Sequence, residues 1–520
     1  MRVFLLYRDR DFGPPTGTLR NAPALTQDLE LEILFGAMAA GDEFLLDVAR
    51  QAFLSSMEEP EAILYRQGIL EDCLERPEVV RRIYDTAVEA LERERRVWGW
   101  VSRDRPRAAL HRAVEVLGIF LELLARLRRI ADEEGPQFRS EGFARFFAML
   151  SGELNDEYLA LAGEHLERLQ LRDGILMTAE LGAGHRGANY VLRKRLIARR
   201  TWLERLKDWA RQLTGGNGRE LIYEIADRDE SGFRALTELE DRGIAHVAAA
   251  LSQSTDHILS FFQRLRWELG FYTGCLNLRT QLARRGRPIS LPEPLAPGRA
   301  VLTARGLYDP CLALRMDGRI AGNDVAAEDK ALVMVTGANR GGKSTFLRSA
   351  GAAQLMMQCG MFVPAEYFRA NVCRGVFTHF KREEDTTMKS GKLDEELSRM
   401  SSIIGEVTAD SLVLFNESFA STNEREGSEI ARQIVRALLE SGVKVFYVTH
   451  LFDLARGFVR ANMATALFLR AERLPDGQRT FRMLPGEPLP TSFGEDLYGR
   501  IFGPPGRAGG CRRWLGTRVR

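Results

Sequence analysis

The chain has 520 residues, more than one ordinary hydrophobic core accommodates, and its 45% hydrophobic content argues against extensive disorder. Its 73 basic and 71 acidic side chains leave a net charge of +2, which decides nothing about an anionic partner, so any such surface must come from local clustering. The six cysteines stand without C-x-x-C or His-rich spacing, which speaks against a zinc site or a disulfide framework, and Cys359 and Cys373 read as small buried packing residues.

In chain order, Met1 to Tyr7 is too short an apolar stretch for a signal peptide, and no segment approaches the roughly 18 apolar residues of a membrane span. A cytoplasmic protein without a membrane segment is expected. From about Thr26 to Gln281, apolar residues recur at three- and four-residue spacing between charged ones, predicting a largely helical half. Within it, the apolar patch Val116 to Leu127 is interrupted by Glu122 and Arg126 and suits a buried amphipathic helix. Gly174 to Leu192 departs from this pattern, with Gly182, Gly184 and Gly187 between short β-compatible runs.

Arg186 to Arg211 carries Arg193, Lys194, Arg195, Arg199, Arg200, Arg205, Lys207 and Arg211 against only Glu204 and Asp208. Such a run can neutralise several backbone phosphates of a duplex without reading its sequence. A solvated basic helix face with Trp202 and Trp209 beneath it accounts for the same residues.

The proline-rich stretch Arg287 to Pro297 marks a boundary, since proline continues neither a helix nor a central strand. Beyond it, strands are predicted at Ala331 to Thr336, Gly375 to Phe380, Ser411 to Asn416, Lys444 to Thr449 and Thr465 to Arg470, with helices between them, as in a parallel α/β sheet. The end, Gly503 to Arg520, reads as a frayed basic tail.

The first of these strands runs into Thr336, Gly337, Ala338, Asn339, Arg340, Gly341, Gly342, Lys343, Ser344 and Thr345, which fits Gly, four residues, Gly-Lys-Ser. This is the pattern of a phosphate-binding loop. Glycines let successive N–H groups turn toward phosphate oxygens, Lys343 can reach the β- and γ-phosphates, and the Ser344 hydroxyl can ligate Mg²⁺. A helix over Phe346 to Met357 would present its N-terminal dipole to the anion.

A second apolar strand ends in Asn416-Glu417. Glu417 can polarise the attacking water, or be a solvated acid at a strand end. Asn416 stands where such sites normally carry an aspartate for Mg²⁺; an amide offers an oxygen without the charge, so weaker metal binding or slower turnover is expected. His450, at the end of the next strand, can sense the γ-phosphate or be a satisfied structural histidine.

These residues resemble the ATPase domain of the MutS family of DNA mismatch repair proteins. The loop is similar to TGPNMGGKST, with Ala338 and Arg340 as departures; Gly360 to Ala365 is similar to G-x-Y-V-P-A, Thr449-His450 to A-T-H, and Thr491 to Gly494 to T-S-Y-G. Gly306 to Pro310 and Asn323-Asp324 resemble the G-R-H-P and N-D segments that precede the loop. The likeness covers roughly residues 300 to 503, and more weakly the helical half, which resembles the family's core and lever domains. It implies a helical core and lever over 1–295 with a clamp-like insertion at about 170–250, a P-loop ATPase of ABC type with a parallel sheet over 296–490, a partial C-terminal dimerisation element over 491–503 and the tail 504–520.

The resemblance further implies a homodimer that engages double-stranded or branched DNA, with ATP and Mg²⁺ bound between the two ATPase domains. Ile320 falls where the family stacks a side chain on adenine, with Asn323 near its polar edge. Met388 to Glu396 keeps a Ser-Gly-basic start but lacks the following Ser-Thr, so Ser390 or Lys392 would reach the partner's γ-phosphate. Nothing precedes the helical half that could be a mismatch-reading domain, so mismatch recognition is not expected. The expected function is a MutS-like, DNA-binding ATPase. A slow or non-hydrolysing nucleotide-gated scaffold for protein or RNA partners is the alternative that Asn416 suggests.

Overall fold

The computed structural model describes residues 1–13, 21–97, 105–171, 176–181, 187–193, 230–382 and 391–489. The chain divides into two compact units that interleave in sequence. One comprises Met1–Val3, Arg82–Pro136 and Phe146–Arg266, the other Phe4–Arg81, Gln137–Arg145 and Trp267–Arg520.

The described part of the first unit is mainly helical. The helix Pro106–Glu134 starts on proline, whose missing N–H is no loss at a first turn. It buries Leu110, Ala113, Val114, Leu117, Phe120, Leu124 and Leu127, the one-sided spacing read from the sequence. Leu110 and Val114 form a cluster with Ile244 and Ala248 of the helix Glu230–Arg284. Within the glycine-containing departure, β1 (Met177–Leu181) and β2 (Gly187–Leu192) pair antiparallel.

The described part of the second unit holds two sheets. The larger has the order β12-β11-β6-β10-β9-β8, from β6 (Leu332–Gly337), β8 (Val376–Phe380), β9 (Leu412–Asn416), β10 (Lys444–Val448), β11 (Ala466–Arg473) and β12 (Arg479–Pro485). All pairs are parallel except β11 with β12. The smaller sheet, order β3-β7-β4-β5, is built from β3 (Glu293–Leu295), β4 (Val301–Leu307), β5 (Asn323–Glu328) and β7 (Tyr367–Asn371). Strands β6, β8, β9, β10 and β11 fall within a few residues of the predicted positions. The smaller sheet and β12 were not predicted, since segments such as Asn-Asp-Val-Ala-Ala-Glu have low β propensity.

The proline-rich stretch near residue 295 does not separate the two units. The helices Ala22–Asp28, Leu31–Ala39, Glu43–Leu54 and Pro60–Glu75 share a unit with both sheets, Ala22–Asp28 packing on β8 of the large sheet and Pro60–Glu75 on β3 of the smaller one. The helix Lys343–Gln358 packs on β6, β9 and β10 of the large sheet and on the helix Glu43–Leu54. At Gly351 an added Cβ would come 2.5 Å from Leu414 and 3.0 Å from Leu29, so only glycine permits this approach. Arg66 is fully buried. Its Nε donates to Leu6 O (3.2 Å), its Nη1 donates to Cys359 O (2.9 Å) at the end of that helix, and its guanidinium lies over the rings of Tyr7 and Phe271.

Candidate active site

The glycine-rich loop joins β6, the strand flanked by β10 and β11, to the helix Lys343–Gln358. Gly337 and Gly342 adopt φ of 113° and 88°, and Arg340 is also left-handed at 58°. A Cβ at Gly341 would come within 2.8 Å of Ala338 O and of the Ala471 side chain. The loop is therefore compact because β11 presses on it, and the helix that follows starts at Lys343 with no side-chain cap on its first N–H groups, which leaves them to an anion. Lys343 is 4% exposed, and its ammonium donates to Gly337 O (3.1 Å) and Ala338 O (3.0 Å). Burial holds its pKa below the ordinary lysine value; Glu417 opposes that shift and Arg479 adds to it.

Strand register assembles the remaining groups. Val448 pairs with both Val335 and Asn416, so the ends of β6, β10 and β9 lie level. That places Gly337, Asn416, Glu417 and His450 at the carboxyl edge of one parallel sheet, where ligands bind in such folds. The Ser344 hydroxyl donates to Asn416 Oδ1 (2.9 Å). His450 Nε2 donates to Glu417 Oε1 (2.6 Å). That hydrogen bond, more than the charges of His450, Lys343 and Lys381, lowers the Glu417 pKa against the opposing effect of burial. Ser344 and Asn416 supply two adjacent neutral oxygens, a donor set that fits a hard cation such as Mg²⁺, which retains several waters and takes phosphate oxygens as further ligands.

Glu417 and Phe419 both have positive φ, 55° and 61°, so the turn after β9 is strained. Its support was not anticipated from the sequence. The Glu396 carboxylate accepts from Phe419 N (2.7 Å) and the Ser421 hydroxyl (2.8 Å). His379 Nε2 faces the Glu396 carbonyl at 3.0 Å and so carries the proton, while Nδ1 lies 2.7 Å from Ser418 Oγ, whose hydroxyl donates to the His379 carbonyl (2.5 Å). The His379 ring stacks on Phe419, and burial pulls its pKa down to about 4.

Beside the loop is a cavity of about 290 Å³, near the lower end of the roughly 300–1,000 Å³ typical of small-molecule sites. Ile320, Asn323, Arg340 and Thr345 line it together with Tyr308 and Phe481. The Asn323 amide is engaged by the main chain of β12, donating to Phe481 O (3.3 Å) and accepting from Met483 N (2.7 Å). Phe481 is 51% exposed and lies against Gly342. Phe481 and Arg479 escaped the sequence reading. The signal was available, since Asp476-Gly477 between two β-compatible runs marks a hairpin.

Lys392 opens the helix Lys392–Ile404. Arg193 follows β2, and its Nε donates to the Thr178 hydroxyl at 3.0 Å. Ser390, Lys194, Arg195, Arg199, Arg200 and the segment from 490 onward lie outside the described residues.

Two family profiles match the chain, "MutS2 N-terminal domain" over residues 58–285 and "MutS domain V" over residues 333–495. Among individual relatives, the Endonuclease MutS2 of Pelotomaculum thermopropionicum is 29% identical over 265 residues, covering 49% of this chain and 32% of that protein. Human MutS protein homolog 4 is 30% identical over 26% of this chain and 14% of its own length. The DNA mismatch repair protein MutS of Thermotoga sp. is 35% identical over 25% of this chain and 17% of its own length. The chain thus spans a third or less of each of these relatives.

Proposed function

The chain belongs to the MutS family, and from that premise we propose that it is a DNA-associated P-loop ATPase whose nucleotide cycle governs clamp-type engagement of duplex or branched DNA. The observation that carries this reading is the convergence of Lys343, Ser344, Asn416, Glu417 and His450 at one sheet edge. Mismatch reading is not part of the proposal.

ATP is the substrate. Glu417 orients the attacking water and accepts its proton, while His450 holds the carboxylate in place through the 2.6 Å hydrogen bond. Lys343 and the N–H groups of residues 339–345 stabilise charge on the phosphate oxygens. Ser344 and Asn416 would hold Mg²⁺, which when bound supplies positive charge to the β- and γ-phosphates. The cavity lined by Ile320 and Phe481 takes the base. Two copies of the chain close on ATP, with Ser390 or Lys392 crossing to the partner's γ-phosphate, and the basic run with Arg193, Lys194, Arg195, Arg199 and Arg200 contacts DNA phosphates.

The test is steady-state ATP hydrolysis by the chain with Mg²⁺, with and without duplex and branched DNA, beside Glu417→Gln. Turnover that DNA modulates and the variant abolishes is expected. The neutral Ser344–Asn416 pair favours a second reading, a nucleotide-gated scaffold with slow or no turnover for protein or RNA partners. Tight ATP binding without turnover or DNA response would select it.

A further inference from the structure

Arg479 opens β12 and crosses from the hairpin to the glycine-rich loop, where its Nε donates to Asn339 O (2.8 Å) and its Nη1 to Gly477 O (3.3 Å). Lys343 donates to the carbonyls of Gly337 and Ala338. Two side-chain cations therefore rest on three consecutive carbonyls of one tight loop. A carbonyl oxygen carries only partial negative charge, so a phosphate oxygen is the stronger acceptor for both. The hairpin fixes where Arg479 sits, since Ala471 packs on Gly337 and Gly341 and the Asn323 amide binds the Phe481 and Met483 backbone.

We propose that Arg479 is a catalytic arginine acting within its own chain on the γ-phosphoryl group, an inference that rests on the loop being the ATP site. In the step it serves, the water oxygen bonds to the γ-phosphorus and the bond from that phosphorus to the bridging oxygen breaks. The electron pair stays on ADP, and the water's proton passes to Glu417 and then to solvent, leaving inorganic phosphate. Arg479 keeps its proton throughout and donates N–H bonds to the oxygens on which charge grows. A lysine, a point charge on a flexible stem, would not reproduce the planar donor fork.

The experiment compares the full chain with Arg479→Gln and Arg479→Lys, measuring single-turnover ATP hydrolysis, ADP affinity, ADP–aluminium fluoride trapping and thermal midpoint. Expected is a fall in hydrolysis of about a hundredfold or more in both variants with trapping lost, while ADP affinity and midpoint stay near wild type. Unchanged hydrolysis, or hydrolysis restored by lysine, would overturn the proposal. So would losses of hydrolysis, ADP affinity and midpoint together, which indicate a merely structural hairpin contact. A wild-type chain that hydrolyses no ATP would overturn the ATPase reading and this inference with it, whereas an active wild type with active variants would overturn this inference alone.

Discussion

The Ser344 hydroxyl donates to the Asn416 amide oxygen across 2.9 Å, joining the start of the loop helix to the end of β9 through two neutral oxygens. A carboxylate at 416 would bring a negative charge to the same point. Asn416→Asp is therefore expected to lower the Mg²⁺ concentration for half-maximal turnover by about tenfold, near 1.4 kcal/mol, and to raise turnover. Magnesium titration of ATP hydrolysis checks this. An unchanged half-saturation would remove Asn416 from the metal site.

Phe481 presents half its surface beside Gly342 in the cavity that holds Ile320. If it stacks on the base, Phe481→Ala weakens nucleotide binding by about 1–3 kcal/mol, the range for aromatic–base stacking. ATP and GTP should lose alike, because a stack reads the ring face. Fluorescent-nucleotide titrations decide the matter; equal affinity in wild type and variant would place the base elsewhere.

His379 supplies a pH dependence with a definite sign. Its pKa falls from 6.5 to about 4 through burial, so in the intervening window the unfolded chain binds the extra proton. Its contribution to stability is complete above pH 6.5 and is lost as pH drops toward 4, amounting to up to about 3 kcal/mol. Denaturant unfolding of wild type and His379→Gln between these limits should show a shallower pH slope in the variant. Parallel slopes would mean that His379 does not titrate as its surroundings dictate.

Arg66 ties Leu6 to Cys359, two segments far apart in sequence, from a fully buried position. Arg66→Ala leaves both carbonyls without this donor and opens a cavity, a loss of about 3–5 kcal/mol. The thermal midpoint should fall sharply. A midpoint shift under a degree would show that neighbouring groups replace the guanidinium.

What the sequence determined by itself was local. The spacing of Gly337, Gly342, Lys343 and Ser344 is set within one strand–loop–helix unit, and five strands of the large sheet were legible as apolar runs between helices, because such patterns depend only on neighbouring residues. The tertiary structure decided which distant groups meet. His450 reaches Glu417 across 33 positions, Ser344 reaches Asn416 across 72, and Arg479 reaches Asn339 across 140. Those meetings follow from a strand order in which β6 lies between β10 and β11 and the β11–β12 hairpin folds back on the loop. No local periodicity encodes that order, since it is selected by burial of whole faces, and so the site's supports at Phe481, Arg479, Glu396 and His379 emerged only when the chain was folded.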